Sequence, residues 1–192
     1  MSQTSTEPVL SKTGEPTYRL EIHTDAYDIR VYEPYLVAEV IVPGPAESAS
    51  SEGFRLLAAY IFGGNNGAHR LEMTAPVTQT PVKLPMTAPV TQSPAGDGFR
   101  VRFAMPAGYT MQTLPVPDDP RVTLAEVPAL RVAVLRYSGR WTEKNYAEHL
   151  AELRATLTAA GITTHGEPIL ARYNAPYVLP FLRRNEVWLT LD

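Results

Sequence analysis

The sequence predicts an α+β fold: one antiparallel, barrel-like sheet built from two similar halves, with one helix packed on each half. Three observations indicate this fold. Apolar residues alternate along several short stretches, as in half-buried strands, and two other stretches change to helical spacing. The order of strands, then a helix, then strands occurs twice. Two helices are too few to cover both faces of a parallel sheet, and the short turns between strands favour antiparallel pairing.

Length and composition agree with a single folded unit. The chain has 192 residues, of which 44% are hydrophobic, enough for a sizeable core. We expect residues 1–17 to be a flexible polar tail and residues 18–192 to be one domain, with halves at about 18–114 and 121–192.

Charge and cysteine content exclude several function classes. The formal net charge is −3, which argues against a nucleic-acid partner because such binding needs a clustered excess of lysine and arginine. The absence of cysteine excludes disulfides, thiolate metal sites and cysteine nucleophiles, and it fits a cytoplasmic location. No eighteen consecutive residues are apolar, so no membrane span is expected.

The first half begins with three strands, predicted at residues 18–22, 27–32 and 35–42, of which the first two form a hairpin. From Ser51 the spacing becomes helical, with one apolar face, and the glycine-rich residues 63–67 end this first helix. Another strand is predicted at residues 99–103.

A seven-residue segment occurs twice between these elements. Residues 73–79 and 86–92 both read Met-Thr-Ala-Pro-Val-Thr-Gln, and each alternates as a strand does. We predict that the copies pair as a hairpin with Ala75 opposite Val90, because this register places all apolar groups on one face. The prolines should distort the ladder or confine the pair to an edge.

The second half repeats the order of elements after a proline-rich connector at residues 115–120. Strands are predicted at residues 122–127, 130–137, 169–173 and 186–191. Thr142 is a favourable N-cap for a second helix, which Gly161 ends. Its apolar face recurs at spacings of three and four, through Tyr146, Leu150, Leu153, Leu157 and Ala160.

Few residues form a recognisable chemical motif. The glycine-rich stretch lacks the lysine of a phosphate-binding loop, the serines lack a nucleophile elbow, and the histidines lack zinc-like spacing. The sequence therefore predicts no catalytic residue. The thioethers of Met73, Met86, Met105 and Met111 can pack on flat macrocycles or ligate haem iron, although core packing is the alternative.

The arginine pair at residues 183 and 184 has two interpretations. It precedes Asn185 and Glu186, so it can form an ion pair that holds the last strand. Alternatively, an arginine of this pair can bind the carboxylate of a ligand.

Several motifs together resemble the SOUL haem-binding protein family. They are the Met-Thr-Ala-Pro-Val segments after a Gly-Gly-Asn helix end, Tyr137-Ser-Gly139 before the second helix, Tyr173-Asn-Ala-Pro176, and Arg183-Arg-Asn-Glu-Val-Trp188. The resemblance runs from about residue 18 to residue 191. It implies a distorted β-barrel with internal pseudo-symmetry, flanked by two helices, and a haem or tetrapyrrole ligand.

The resemblance also implies where such a ligand would bind. An apolar cleft beside the first helix would be lined by Phe54, Leu57, Ala58, Ile61 and Phe62, and Arg55 would face a propionate. The side-chain chemistry described above adds Met73, Met86 and Arg183 as candidate contacts. Some relatives have a histidine ligand at a position that aligns with Val31 here. Iron ligation by that route is therefore absent, and His69 or a methionine would have to replace it, with His69 the expected metal ligand.

Three functions follow as expectations. The first is a cytoplasmic protein that buffers or carries haem. The second is a sensor or sequestering module for lipophilic molecules, since the two-half architecture resembles gyrase-inhibitor-like domains; a buried carboxylate at Glu72 or Glu126 would favour cations. The third, a haem-degrading or hydrolytic enzyme, has no supporting residues at fixed spacing. The oligomeric state is not predicted.

Overall fold

The computed structural model describes residues 8–9, 15–66, 88–174 and 177–192, which form one antiparallel sheet with two helices. The helices are α1 (Ala46–Ile61) and α2 (Glu143–Ala159), and a 3₁₀ turn covers Pro180–Leu182. The strands are β1 (Pro8–Val9), β2 (Tyr18–His23), β3 (Asp28–Tyr32), β4 (Tyr35–Pro43), β5 (Val90–Ala95), β6 (Gly98–Ala104), β7 (Thr123–Val127), β8 (Leu130–Tyr137), β9 (His165–Arg172) and β10 (Asn185–Thr190).

The sheet has the strand order β1-β2-β3-β8-β10-β9-β5-β6-β4-β7 and curls into a half-barrel. This architecture confirms the predicted α+β class. The sheet shows the internal repetition directly, because β3-β8-β10-β9 and β7-β4-β6-β5 have the same arrangement around α2 and α1. In each set the outer strand, β3 or β7, comes from the other half of the chain, and β5 pairs with β9 where the sets meet.

Both helices lie on the same face of the sheet. Val40 pairs with Val101 and the two pack against α1 in one core cluster, which also contains Leu57 and Ile61. Val187 and Leu189 pack against Leu153 and Leu157 of α2 in a second cluster. The opposite face carries a third cluster, in which Tyr32 stacks on Trp188 with ring centroids 4.9 Å apart.

Local chemistry accounts for the helix positions. The Thr142 side chain accepts a hydrogen bond from the Asn145 N–H, which caps α2 as predicted. The first helix begins at Ala46, earlier than the predicted Ser51, because Pro45 stands directly before its first turn. Gly53 lets α1 approach the sheet, since a Cβ there would lie 2.6 Å from Val101 Cγ2.

The duplicated segment does not form the predicted hairpin at Val90. The first copy, and residues 86 and 87 of the second, lie outside the described residues. Val90 pairs with Phe103 of β6 on one side and with Arg172 of β9 on the other. Both edges of Val90 are therefore occupied, and the predicted pairing of Val90 with Ala75 is wrong.

Neither of the described helices is both long enough and apolar enough to cross a bilayer.

Candidate functional site

A valley separates the two helices, and β5 and β9 form its floor. The strand registers determine which side chains point into it. Gln92 opposes Val101 on β6 and Leu170 on β9, while Val90 opposes Arg172, so these floor residues share the face that carries both helices. We call this surface, floored by residues 90, 92, 170 and 172, the interhelix valley.

Polar contacts join the floor of the valley to α1. The Gln92 side-chain amide donates to the Ala46 carbonyl oxygen at 2.8 Å. One turn farther along the helix, the Ser50 hydroxyl oxygen accepts a hydrogen bond from Arg172 Nη1. The first turns of α1 therefore form one wall of the valley.

Arg172 lies on the floor of the valley and is half-buried. Its Nε is buried and has no hydrogen-bond partner among the residues that the structure describes. Burial lowers the pKa of its guanidinium, although the nearby Tyr137 and Glu47 favour the charged form. No ion pair joins it to a carboxylate within the described ranges, whereas Arg30, Arg102 and Arg184 each have a carboxylate partner.

The other wall contains Trp141, just before α2. Its indole N–H donates to Asn185 Oδ1 at 2.7 Å. The guanidinium carbons of Arg172 and Arg183 lie 5.2 and 4.4 Å from the centre of its ring. Two arginines thus share one indole, and Arg183 also donates from Nε to the Val178 carbonyl oxygen.

An apolar loop stands beside this wall. Four large side chains of the 177–182 segment are exposed, namely Tyr177, Leu179, Phe181 and Leu182, with Tyr177 reaching 89% exposure. The loop is attached to the Trp141 side because the Gly139 N–H donates to the Pro180 carbonyl oxygen at 2.9 Å. An exposed apolar cluster of this size is typical of a surface that contacts a ligand or partner.

The predicted residues of α1 separate into two groups. Leu57 and Ile61 are 0% and 1% exposed, so their side chains hold the helix on the sheet instead of lining an open cleft. Phe54, Ala58 and Phe62 follow at intervals of four and form a stripe that is half-buried at Phe54 and 58% exposed at Phe62. The stripe is the part of the predicted surface that a ligand can reach.

The two predicted arginines also differ in their contacts. Arg55 is exposed and forms an ion pair with Glu52 on the same helix. Arg183 lies in the valley wall, over Trp141. The structure therefore places Arg183 beside the valley.

The predicted iron ligands cannot be placed. His69, Met73 and Met86, together with Glu72, lie outside the described residues. Val31 occupies β3, where a related histidine was expected. Among the described histidines, His23, His149 and His165 bond to Asp28, the Asn145 carbonyl oxygen and Asp192. No metal-binding group of three His, Cys, Asp or Glu side chains occurs in the described part of the chain.

Glu186 forms a charged cluster on the opposite face of the sheet. It is 0% exposed and accepts hydrogen bonds from Arg30, Arg184, Tyr173 and Trp188. Burial acts to raise the pKa of Glu186, but the two arginines and the hydrogen bonds outweigh burial and hold this pKa below its ordinary value. Arg184 therefore has the structural role that was one of the two interpretations of the arginine pair.

A separate pocket of about 340 Å³ lies near the start of β4. Its lining includes Tyr35, Tyr109, Met111 and Glu126. Glu126 is exposed, so it is not the buried carboxylate that the sequence suggested. Met105, by contrast, packs in the α1 core cluster.

Sequence reasoning missed Arg172, Trp141 and Ser50. Arg172 ends strand β9, and nothing in the neighbouring sequence distinguishes it from a solvent-facing arginine. A pairing of β5 with β9 was needed to bring it between the helices. The signal that was available is the scarcity of lysine beside arginine, three against fourteen, which favours carboxylate recognition.

Comparisons with known proteins support one family. The sequence profile described as SOUL heme-binding protein matches residues 13–190. Two relatives are both named Heme-binding protein 1. The protein from Xenopus laevis is 28% identical over 85% of this chain and 82% of its own length, and that from Mus musculus is 27% identical over 85% and 83%.

Solved structures share the fold at low sequence identity. The EcmrR C-terminal domain superposes with a TM-score of 0.62 at 10% identity, covering 86% of this chain and 96% of that domain. A structure from Listeria innocua described as a hydrolase has a TM-score of 0.57 at 12% identity, covering 87% and 92%. At these identities the likeness concerns the fold alone.

Proposed function

Because this chain belongs to the SOUL heme-binding protein family, we propose that it binds haem or a related tetrapyrrole in the interhelix valley and buffers or carries it in the cytoplasm. The relatives named Heme-binding protein 1 support the ligand class. One observation supports this location. The partly exposed stripe of Phe54, Ala58 and Phe62 lies on one side of the valley, and Trp141 on the other side contacts two arginines.

The chemistry of these groups suits a porphyrin. A flat macrocycle gains affinity by burying its apolar faces, at roughly 25 cal/mol per Å², and the α1 stripe and the 177–182 loop supply apolar surface for this. Propionates favour arginine, because a guanidinium fork matches a carboxylate. The protein would therefore hold the ring mainly by burial and orient it by charge.

Iron ligation is a secondary contribution in this proposal. Val31 stands at the position of the expected histidine, and cysteine is absent. His69 remains the proposed nitrogen donor, and Met73 and Met86 remain proposed contacts. We expect iron-free protoporphyrin to bind within about tenfold of hemin, a difference of about 1.4 kcal/mol.

One absorbance titration tests this account. Hemin and protoporphyrin are titrated into the protein, into His69→Ala and into Phe62→Asp. Phe62→Asp should weaken both ligands at least about tenfold by placing a charge on apolar contact surface. Ile41→Asp is the matched control. Ile41 is similarly exposed at 53%, but it lies on the face of the sheet that is away from both helices.

Two outcomes would refute parts of this proposal. An unchanged hemin spectrum at stoichiometric protein would remove the proposed function. Hemin binding a hundredfold tighter than protoporphyrin, with a sharp low-spin spectrum lost in His69→Ala, would make iron ligation the main anchor and refute the burial account.

A second candidate function is sequestration of a lipophilic cation. The pocket near the start of β4 favours it, because two tyrosines, a methionine and Glu126 can surround a cationic aromatic group. Tetraphenylphosphonium is a suitable probe. Saturable quenching of intrinsic fluorescence that is lost in Glu126→Gln would support this function, and the absence of saturable binding would exclude it.

A further inference from the structure

The environment of Arg172 is incomplete in a way that points to an anion. A buried guanidinium is normally paired with a carboxylate and hydrogen-bonded through most of its N–H groups, because burying an unpaired charge is costly. Arg172 is half-buried and donates one hydrogen bond to the uncharged Ser50 hydroxyl, and its buried Nε has no acceptor among the described residues. The Arg172 guanidinium is therefore a hydrogen-bond donor on the floor of the valley, and it has no acidic partner among the described residues.

Arg100 also has a buried Nε without a hydrogen-bond partner among the described residues. Arg100 lies on β6 opposite Ile41 and Ser93, so it points to the face of the sheet away from the helices. Its Nε lies 3.7 Å from Glu39 Oε2, so its charge has an acidic neighbour. Arg172 has no equivalent carboxylate in the described part of the chain, although the electrostatic effect of Glu47 reaches it.

The neighbours of Arg172 indicate the kind of anion. Trp141 holds both Arg172 and Arg183 against its ring, so positive charge is concentrated at one place in the wall. Val90 lies directly opposite Arg172 in the sheet, and Phe54 follows Ser50 one turn along α1. A small inorganic anion would use only the charge, whereas a carboxylate attached to a flat apolar body would use both surfaces.

Resting on the proposed function, we propose that Arg172 is the principal residue that binds a propionate of the bound tetrapyrrole. Ser50 positions the Arg172 guanidinium and the Trp141 ring supports it. We call these three residues the propionate seat. The exposed part of the half-buried Arg172 guanidinium then donates to a carboxylate oxygen. Arg183, which also contacts the Trp141 ring, adds positive charge. Arg55, on the exposed side of α1, contributes little to the seat because it is already paired with Glu52.

The test compares hemin with hemin dimethyl ester, in which both propionates are neutral. The complete protein, Arg172→Gln, Arg172→Lys and Arg100→Gln are each titrated with both ligands, and the thermal midpoint of each variant is recorded. The unmodified protein should bind hemin at least about tenfold tighter than the ester. Arg172→Gln should remove this preference by weakening hemin alone, Arg172→Lys should keep part of it, and Arg100→Gln should leave it unchanged.

The outcomes separate the proposal of a propionate seat at Arg172 from the proposal that the protein binds a tetrapyrrole. If neither porphyrin binds, the proposed function and the seat both fail. If both bind the unmodified protein equally, or if Arg172→Gln weakens the two ligands equally, the function stands and the propionate seat is wrong. If Arg100→Gln removes the preference as fully as Arg172→Gln does, the effect is one of overall charge, and the specific role of Arg172 is refuted.

Discussion

Arg30 Nη1 lies 3.1 Å from Glu186 Oε1, although 156 residues separate the two in the chain. The contact joins β3, from the first half, to β10, at the end of the second. β8 lies between these strands and pairs with both, so the ion pair spans the place where the two halves of the chain interleave.

The first prediction concerns this ion pair. Glu186→Gln should lower the free energy of unfolding by about 3–5 kcal/mol, because it removes the carboxylate that Arg30 and Arg184 share inside the buried cluster, although Asp28 still pairs with Arg30. Urea denaturation measures this change. Glu21→Gln is the control, since Glu21 pairs with Arg19 and Arg131 at a more exposed site and should cost at most about 1 kcal/mol. Equal losses in the two variants would contradict the importance of the buried cluster.

The second prediction is the pH dependence of the same cluster. The pKa of Glu186 is held below its ordinary value of 4.5 in the folded protein. The contribution of Glu186 to stability is therefore fully present above pH 4.5 and is lost as the pH falls through the lower folded pKa. Unfolding midpoints between pH 7 and pH 3 should decline less steeply in Glu186→Gln. An identical decline would show that other carboxylates cause the acid sensitivity.

The third prediction concerns the core beneath α2. Leu153 is 0% exposed and packs in the cluster with Val187 and Leu189. Leu153→Ala should cost roughly 2–5 kcal/mol through lost burial and the resulting cavity. Glu152→Ala, at the neighbouring exposed position, should change stability by less than about 0.5 kcal/mol. If Leu153→Ala has the same thermal midpoint as the unmodified protein, Leu153 does not lie on the face of α2 that packs against the sheet.

The fourth prediction separates core from ligand surface on α1. Ile61 is 1% exposed, so Ile61→Asp should destabilise the fold by burying a charge, in addition to any effect on ligand binding. Phe62→Ala should leave the thermal midpoint nearly unchanged, because Phe62 is 58% exposed, and should still weaken hemin. Thermal melts and hemin titrations of both variants check this. A folded Ile61→Asp variant with a normal midpoint would show that Ile61 faces an open cleft after all.

Local patterns of the sequence determined the elements and their class. Alternation, turn residues and the Thr142 cap depend on neighbours within a few positions, so they predicted most strands, α2 and the repeated order of elements. The same patterns identified Leu153 and Leu157 as core, which the structure confirms. The family resemblance, carried by several motifs in order, is likewise a property of the sequence alone, and the match over residues 13–190 confirms it.

Tertiary structure decided everything that depends on which strands meet. Alternation shows which residues share a face of a strand, but it does not identify the partner strand. The exchange of β3 and β7 between the halves, and the pairing of β5 with β9 in place of a hairpin between the duplicated segments, are long-range choices of this kind. These choices bring Arg172 to Ser50 and Trp141, and they bring Glu186 to Arg30. Helical spacing predicted an apolar face on α1, but only packing against β6 decided that Leu57 and Ile61 enter the core while Phe62 remains at the surface.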